Sequence, residues 1–243
     1  MIRVLINGSK GKMGAQSVLA VQEDTELELV AAIDREDNLE QEIKTHRPEV
    51  VLDFTTPHVV EENIRCALSL SCHIVVGTTG LDDAQLQALN TLAQEQKRAL
   101  LVCPNFAIGA VLMMKFAAEA ARYIPCLEVI ERHHDKKLDA PSGTALKTID
   151  MIVESQSNPN PTPLNETELV PGSRGGLYKN VRVHSVRLPG YVASQEVVLG
   201  DEGQTFSLQH HTIHRGCFMP GVVLALKKAQ DHIGLVYGLE HLL

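Results

Sequence analysis

The sequence predicts an α/β protein in which an N-terminal doubly wound parallel sheet is followed by a second, α+β domain with a mixed sheet. In the first 103 residues short β-branched runs alternate with helical patterns, whereas three later strand-like runs follow one another without helices between them. Alternating strands and helices favour right-handed crossovers and a parallel sheet covered on both faces. Consecutive strands favour an antiparallel or mixed sheet, and therefore a second domain.

The N-terminal half contains a regular series of predicted strands. They are residues 3–6, 29–33, 50–54, 73–76 and 99–102. The clearest helix between them covers residues 82–97 and has Asp82 in the N-cap position. Leu86, Leu89 and Leu92 recur in it at helical spacing. The series predicts a Rossmann-like domain.

The second half has a different pattern. It contains a predicted helix at 110–122, a strand at 128–132, a helix from Ser142, and strand-like runs at 181–187, 194–199 and 205–210. The turn residues 200–203 predict a hairpin between the last two runs. A helical pattern returns at about 218–230. The proline-rich polar segment between Ser155 and Gly176 is either a lid or interface arm, or an excursion without function.

The composition excludes several classes of protein. Hydrophobic residues make up 44% and charged residues 21% of the 243 residues, as in ordinary globular proteins. A formal net charge of −8 argues against a nucleic-acid partner, which needs clustered Lys and Arg. No apolar run approaches membrane-spanning length, and the five Cys residues include no C-x-x-C pair. We expect a cytoplasmic protein with no membrane partner, no disulfide framework and no thiolate zinc site.

A glycine-rich turn after the first strand predicts a nucleotide site. Gly8, Gly11 and Gly14 let backbone N–H groups approach a pyrophosphate at a helix N-terminus. Asp34 ends the second strand, where a carboxylate meets the ribose hydroxyls of a dinucleotide. Arg35 beside it can accommodate a 2′-phosphate, so we expect both NADH and NADPH to be accepted. The alternative is that Asp34 and Arg35 form only a solvated strand end.

A second group of residues predicts proton chemistry on an anion. His133, His134 and Lys137 can donate protons near neutral pH if their surroundings favour it. Residues 142–144 precede a helical pattern and offer N–H groups suited to a carboxylate. Together they suit a small acidic substrate. The alternative is that the histidines are ordinary strand residues and that 142–144 only begin a helix.

A third cluster lies at residues 210–215. His210 and His214 have the spacing of zinc ligands on a helix, but no H-E-x-x-H glutamate is present and the run leaves a strand. We therefore expect no metal, and we expect these residues to serve an anionic ligand or the structure.

Taken together, these segments resemble the 4-hydroxy-tetrahydrodipicolinate reductase (dihydrodipicolinate reductase) family, nicotinamide-dependent enzymes of bacterial diaminopimelate and lysine synthesis. The specific part is His133-His134 with Lys137 and residues 139–144. Further matching segments, which extend over nearly the whole chain, are 8–14, 53–55, 76–80, 104–106 and 215–221. The resemblance implies a reductase that uses NADPH or NADH and acts on a small dicarboxylate.

The resemblance also implies residue roles. His133 and Lys137 would form the proton-handling pair, and His134, Gly143 and Thr144 would contact substrate. Cofactor contacts would come from Gly8, Ser9, Lys10, Gly11, Lys12, Met13, Asp34, Arg35, Gly77, Thr78, Thr79, Cys103, Pro104, Asn105 and Phe106. Lys12 stands where Arg is frequent in the family, which keeps the charge but loses the planar fork.

The same resemblance implies a domain plan. Residues 1–106 and 216–243 would form the dinucleotide-binding domain, and residues 107–215 the substrate-binding and oligomerisation domain of a homotetramer. Substrate would lie between the domains, with the paired histidines facing the nicotinamide. Two alternatives remain: another nicotinamide oxidoreductase, such as an amino-acid or semialdehyde dehydrogenase, and a regulator that binds NADPH without consuming it.

Overall fold

The structure is a computed structural model of the chain and describes residues 1–156, 159–160 and 167–243. It divides into two compact units: unit 1 consists of Met1–Ile108 and Arg215–Leu243, and unit 2 of Gly109–His214. The predicted polar segment between Ser155 and Gly176 lies partly outside the described residues. The roles assigned to the two domains stay predictions.

The strands and helices follow one another along the chain. In order they are β1 (Ile2–Asn7), α1 (Lys12–Glu23), β2 (Leu27–Ile33), α2 (Leu39–His46), β3 (Val50–Asp53), α3 (Val60–Ser69), β4 (His73–Val76), α4 (Asp83–Glu95), β5 (Ala99–Val102), α5 (Ile108–Ala121), β6 (Cys126–His133), α6 (Gly143–Ser155), β7 (Gly176–Tyr178), β8 (Val181–Arg187), β9 (Ala193–Asp201), β10 (Gln204–Thr212), α7 (Met219–Lys228) and β11 (Gly234–Tyr237). Among the described residues no helix is long and apolar enough to cross a membrane.

Unit 1 is built on a parallel sheet of order β11-β5-β4-β3-β1-β2. Leu5, Leu52, Ile74 and Leu100 are fully buried in it, as expected when helices cover both faces of a parallel sheet. The chain moves outwards from β1 to β2 and then returns to place β3 on the other side of β1. Ligands of such sheets bind beyond the strand ends at this reversal. The turn at Gly8 lies there.

Unit 2 is built on a mixed sheet of order β10-β9-β6-β8-β7. β6 and β8 are parallel neighbours, and the other pairs are antiparallel. Residues of α5 and α6, including Ala117 and Ile149, pack with Val129 and Val197 of the sheet in one core. The predicted hairpin is present as β9 and β10. The predicted fold class is confirmed.

A buried carboxyl group connects the strand ends of unit 1. Asp53, the last residue of β3, is fully buried. Its Oδ1 accepts hydrogen bonds from the N–H of Thr55 (3.1 Å), the hydroxyl of Thr55 (2.8 Å) and the hydroxyl of Thr78 (2.9 Å). Its Oδ2 accepts from the side chains of Asn7 (3.2 Å) and Asn63 (2.9 Å). Asp53 therefore holds the ends of β1, β3 and β4 and the helix α3 in fixed positions.

A second buried carboxyl group lies in unit 2. Glu131 of β6 is fully buried, and each of its oxygens accepts a 2.8 Å hydrogen bond from the guanidinium of Arg187 on β8. Its Oε2 also lies 2.5 Å from Nδ1 of His133. Burial alone would raise the pKa of this carboxyl, but the hydrogen bonds from His133 and Arg187 outweigh burial and lower it to about 2. Glu131 is therefore ionised at neutral pH.

The Asp53 arrangement predicts a large effect of an isosteric change. In Asp53→Asn, one acceptor oxygen becomes an NH₂ group that faces donors, so buried groups lose their partners. We expect the free energy of unfolding to fall by about 2–4 kcal/mol, measured by urea denaturation of the whole chain. Asp82→Asn at the N-cap of α4 is the control and should change stability by less than about 0.5 kcal/mol. Equal effects of the two changes would contradict the assigned role of Asp53.

The Glu131 arrangement predicts a dependence of stability on pH. The pKa of Glu131 is lower in the folded protein than the ordinary value of 4.5, so its contribution is complete above about pH 5. The contribution of the ionised carboxylate to the free energy of unfolding is lost as the pH falls from about 5 towards 2. This contribution amounts to about 3 kcal/mol at most. The free energy of urea unfolding should therefore decrease more steeply with acid in the wild-type chain than in Glu131→Gln. Parallel curves would rule this contribution out.

Candidate functional site

The turn after β1 is shaped by its glycines. Gly8 has a φ of +85°, and a Cβ there would lie 2.4 Å from the carbonyl oxygen of Phe54. A Cβ on Gly14 would lie 2.0 Å from the carbonyl oxygen of Gly8. Gly11 is the N-cap of α1, whose first turn has neither a side-chain cap nor an acidic residue. The start of α1 can therefore offer backbone N–H groups to an anion.

The end of β2 is tied to this turn. Asp34 accepts 2.9 Å hydrogen bonds from the backbone N–H groups of Arg35 and Lys10. These bonds, the one from Arg35 first, lower the pKa of Asp34. The side chain of Arg35 is 87% exposed and reaches Glu36 only at 4.0 Å, so it can reorient towards a ligand.

A cavity of about 790 Å³ adjoins the turn in unit 1. Its lining includes Gly8, Gly11 and Asp34, and also Arg35 together with residues of the segment after β3. This volume lies in the range of small-molecule and cofactor sites. With helix N–H groups at one part of the lining and a carboxylate at another, the cavity suits the pyrophosphate and ribose of a dinucleotide.

Two further predicted segments lie near the Gly8 turn. A Cβ on Gly77 would lie 2.0 Å from the ring of Phe54, and that ring meets the ring of Phe106 edge to face at 5.6 Å. Thr78 is bound to Asp53. Burial raises the pKa of the Cys103 thiol to about 12, which makes it a structural residue rather than a nucleophile. The structure thus brings segments 77–79 and 103–106 together with the turn through Phe54 and Asp53.

In unit 2, His133 is the last residue of β6 and its side chain is 15% exposed. Besides its contacts with His133 and Arg187, Glu131 accepts a 3.2 Å hydrogen bond from the backbone N–H of Ser142. Ser142 is the N-cap of α6 and its hydroxyl accepts from the N–H of Ala145. Glu131 therefore joins the imidazole of His133 to the start of α6.

Lys137 lies in the loop between β6 and α6. Its Nζ is 2.8 Å from both carboxylate oxygens of Asp139, and its side chain is only 22% exposed. The guanidinium of Arg187 donates a 2.6 Å hydrogen bond to the carbonyl oxygen of Asp139. Arg187 thus connects the loop that carries Lys137 to the same network as His133.

The other predicted substrate residues border this network. Nδ1 of His134 is buried and has no hydrogen-bond partner among the described residues. Gly143 begins α6, and a Cβ there would have nothing within 4 Å, so this end of the helix has open space beside it. Thr144 follows in the first turn, which contains no acidic residue. The structure therefore places a histidine, a lysine and an open helix start within one connected segment.

The third histidine cluster has a different setting. His210 and His211 lie on β10, so the spacing to His214 is not that of a helix. The ring of His210 packs against Gly109, where a Cβ would lie 2.8 Å from it, and burial lowers the pKa of His210. Among the described residues no group of His, Cys, Asp and Glu side chains has the arrangement of a metal site. His210 is a packing residue of unit 2.

Sequence reasoning gave no role to three residues of these networks. Asp53 lies in the matching segment 53–55, Glu131 lies in the predicted strand 128–132, and Arg187 ends the predicted strand 181–187. The available signal was an acidic residue inside or at the end of an apolar strand, since a carboxyl group buried there needs donors. The identity of those donors depends on strand pairing, which the sequence does not display.

Comparison with known proteins places these features in a family. The family model described as "Dihydrodipicolinate reductase, N-terminus" matches residues 2–106, and "Dihydrodipicolinate reductase, C-terminus" matches residues 109–243. The chain is 44% identical to the 4-hydroxy-tetrahydrodipicolinate reductase of Syntrophomonas wolfei subsp. wolfei over a 261-residue alignment that covers 99% of this chain and 98% of the relative. It is also 44% identical to the Legionella pneumophila (strain Corby) reductase over 242 residues, with 99% of each chain covered.

Solved structures agree with these relatives. The dipicolinate-bound dihydrodipicolinate reductase from Paenisporosarcina sp. TG-14 superposes with a TM-score of 0.93 at 45% identity and covers 100% of both chains. An amine dehydrogenase from Mycobacterium smegmatis, at 11% identity and a TM-score of 0.68 over 97% of this chain and 94% of its own, shares the fold alone. The resemblance seen in the sequence is confirmed, and the chain belongs to the dihydrodipicolinate reductase family.

Proposed function

We propose that this chain is an NAD(P)H-dependent reductase that converts 4-hydroxy-tetrahydrodipicolinate to tetrahydrodipicolinate in diaminopimelate and lysine synthesis, with protonation by His133 and Lys137. Full-length relatives that carry this enzyme name support the activity. The observation that carries the residue assignment is the network of unit 2, in which Glu131 and Arg187 join His133, the Lys137 loop and the start of α6.

Unit 1 would hold the cofactor. Backbone N–H groups at the start of α1 would bind the pyrophosphate, and Asp34 would bind the ribose hydroxyls. Segments 77–79 and 103–106 would contact the nicotinamide end. A nicotinamide cofactor, when bound, supplies the hydride of the reduction.

Unit 2 would hold the substrate. A dicarboxylate needs a local concentration of positive potential in a chain of net charge −8. Lys137 and the helix start at Gly143 and Thr144 would supply it, and His134, which follows His133 in the chain, would contact the substrate as well. Dipicolinate, the ligand bound in the Paenisporosarcina structure, is a dicarboxylate of this kind.

The reaction consumes one hydride and one proton, and the 4-hydroxyl of the substrate leaves as water. Negative charge develops towards the ring nitrogen as hydride arrives, and a proton from His133 or Lys137 neutralises it. General acids of this kind contribute about 10²- to 10⁴-fold to a rate. The two side chains can act because Glu131 and Asp139 hold them in fixed positions.

We also propose that the protein is a cytoplasmic homotetramer. The family resemblance implies assembly through the sheet of unit 2. On the face of that sheet opposite α5 and α6, Ile130, Val186 and Val198 are partly exposed. A second copy packed on this face would cover them.

The proton-handling assignment predicts the behaviour of two variants. The chain is mixed with NADPH or NADH and with the product of dihydrodipicolinate synthase, and the loss of cofactor absorbance is followed. We expect His133→Ala and Lys137→Ala to lower kcat/KM by about 10²- to 10⁴-fold while cofactor affinity is retained, because the cofactor residues lie in unit 1. Lys136→Ala, which changes the neighbouring exposed lysine, is the control and should retain activity.

Three outcomes would contradict this proposal in different ways. Full turnover in both variants would remove the roles of His133 and Lys137. Turnover only with an amino acid would indicate another dehydrogenase. Binding of NADPH without consumption under all conditions would indicate a regulator.

The cavity of unit 1 predicts which residue distinguishes the two cofactors. Among the described residues that line it, Arg35 is the one Lys or Arg, whereas four residues are acidic: Asp34, Asp37, Glu40 and Glu62. Arg35→Ala should raise KM for NADPH about tenfold and KM for NADH by less than about twofold, because only NADPH carries the 2′-phosphate. Arg65→Ala, outside this lining, is the control. An equal change for both cofactors would exclude a 2′-phosphate contact from Arg35.

A further inference from the structure

We propose that Glu131 is a positioning residue of the reduction: its carboxylate holds Nδ1 of His133, so that Nε2 carries the proton given to the substrate. This inference rests on the proposed function and assigns the proton donor that the pair of His133 and Lys137 leaves open. It also assigns a role to Arg187, because the guanidinium of Arg187 donates hydrogen bonds to both oxygens of Glu131.

The proton arrangement follows from the state of Glu131. With its pKa lowered to about 2, Glu131 is ionised near neutral pH and can only accept hydrogen bonds. At 2.5 Å from Oε2, Nδ1 of His133 must therefore carry a hydrogen. A second proton then binds at Nε2, on the opposite side of the ring. An ionised carboxylate at Nδ1 stabilises the imidazolium that results, as in other His–carboxylate pairs.

The direction of the ring follows from the other partners of Glu131. Arg187 donates from Nη1 to Oε2 and from Nη2 to Oε1, each at 2.8 Å, and the N–H of Ser142 donates to Oε1 at 3.2 Å. Both oxygens are therefore engaged, and the carboxylate cannot rotate without losing a buried bond. Since Glu131 cannot turn, the imidazole bound to it keeps one orientation. The bidentate guanidinium also offsets the cost of a buried negative charge.

The setting of Lys137 suits a different task. Its Nζ lies 2.8 Å from each of the two carboxylate oxygens of Asp139, which hold the side chain in place. A lysine held in this way provides a fixed positive charge for a substrate carboxylate. The charged groups of the network are Glu131 on β6, Arg187 on β8, and Lys137 and Asp139 on the loop. Among the described residues of this network, His133 is the one whose ring contacts a fully buried carboxylate.

The proposed reduction conserves atoms and charge. Loss of water removes the 4-hydroxyl and one proton from the substrate ring. The ring then gains a hydride, and Nε2 of His133 gives it one proton. His133 is left neutral with its Nδ1 hydrogen still on Glu131, and a solvent proton restores Nε2.

The test uses Glu131→Gln in the full chain. We expect kcat/KM near neutral pH to fall about 10²-fold, mostly in kcat. The alkaline limb of the pH–rate profile should move to lower pH, because Glu131→Gln removes the negative charge beside the ring of His133. As a readout besides activity, ¹⁵N NMR of the ring nitrogens at alkaline pH should show hydrogen on Nδ1 of His133 in the wild type and on Nε2 to a larger extent in the variant.

The chain offers a matched control on the same strand. Glu128 also bonds a histidine, Nε2 of His184 at 2.8 Å, and an arginine, Arg174. Glu128→Gln should leave the pH–rate profile and the His133 signals unchanged. If both variants change the profile alike, or if Glu131→Gln changes neither profile nor tautomer, the inference is wrong.

A second variant covers loss of folding. Calorimetric binding of dipicolinate reports whether unit 2 is intact. If Glu131→Gln does not bind dipicolinate, Glu131→Asp is measured instead, because aspartate keeps the negative charge on a shorter side chain. Hydrogen on Nδ1 of His133 in that variant supports the inference, and a hydrogen that has moved to Nε2 overturns it. A wild-type chain without turnover would refute the proposed function, and the NMR comparison would still test the position of the proton.

Discussion

A carboxyl group buried at the end of a strand is stable only when hydrogen-bond donors surround it, and both units depend on this constraint. Removing a carboxylate from water costs several kcal/mol unless protein donors replace the solvent. The donors to Asp53 and Glu131 come from segments far apart in the chain, such as Asn7 with Thr78 and Ser142 with Arg187. Each carboxyl group therefore fixes the distances between segments that carry the proposed binding and reacting groups.

The two carboxyl groups differ in their partners. The donors to Asp53 are neutral groups, namely amides, hydroxyls and a backbone N–H, so Asp53 acts by holding these segments in place. Glu131 is bound by a guanidinium and an imidazole, so the same kind of geometry is coupled to a proton. A buried carboxyl group thus supports both the turn proposed to bind the cofactor and the histidine proposed to act as the acid.

Sequence patterns revealed the elements with strong local signals. Buried strands such as β3 and β5 and the capped helix α4 could be predicted, because apolar runs and caps are local. The strand β11 was missed, since four residues show no periodicity and its partner β5 lies more than 130 positions away. In the candidate site, the clustering of His133 and Lys137 along the chain made them predictable as site residues, and their roles stay proposals. Arg187 was not predictable, because its contact with Glu131 spans 56 positions and depends on the register of β6 and β8.

The place of β11 has a consequence for biosynthesis of the chain. On the ribosome, β5 emerges more than 100 residues before β11, so one edge of the first sheet stays open while the whole of unit 2 is made. An open strand edge is a template for pairing with other chains. Unit 2, which is continuous in the chain, can complete its core in that interval. The nascent chain thus passes through a stage in which unit 1 has an open strand edge and is the part most exposed to pairing with other chains.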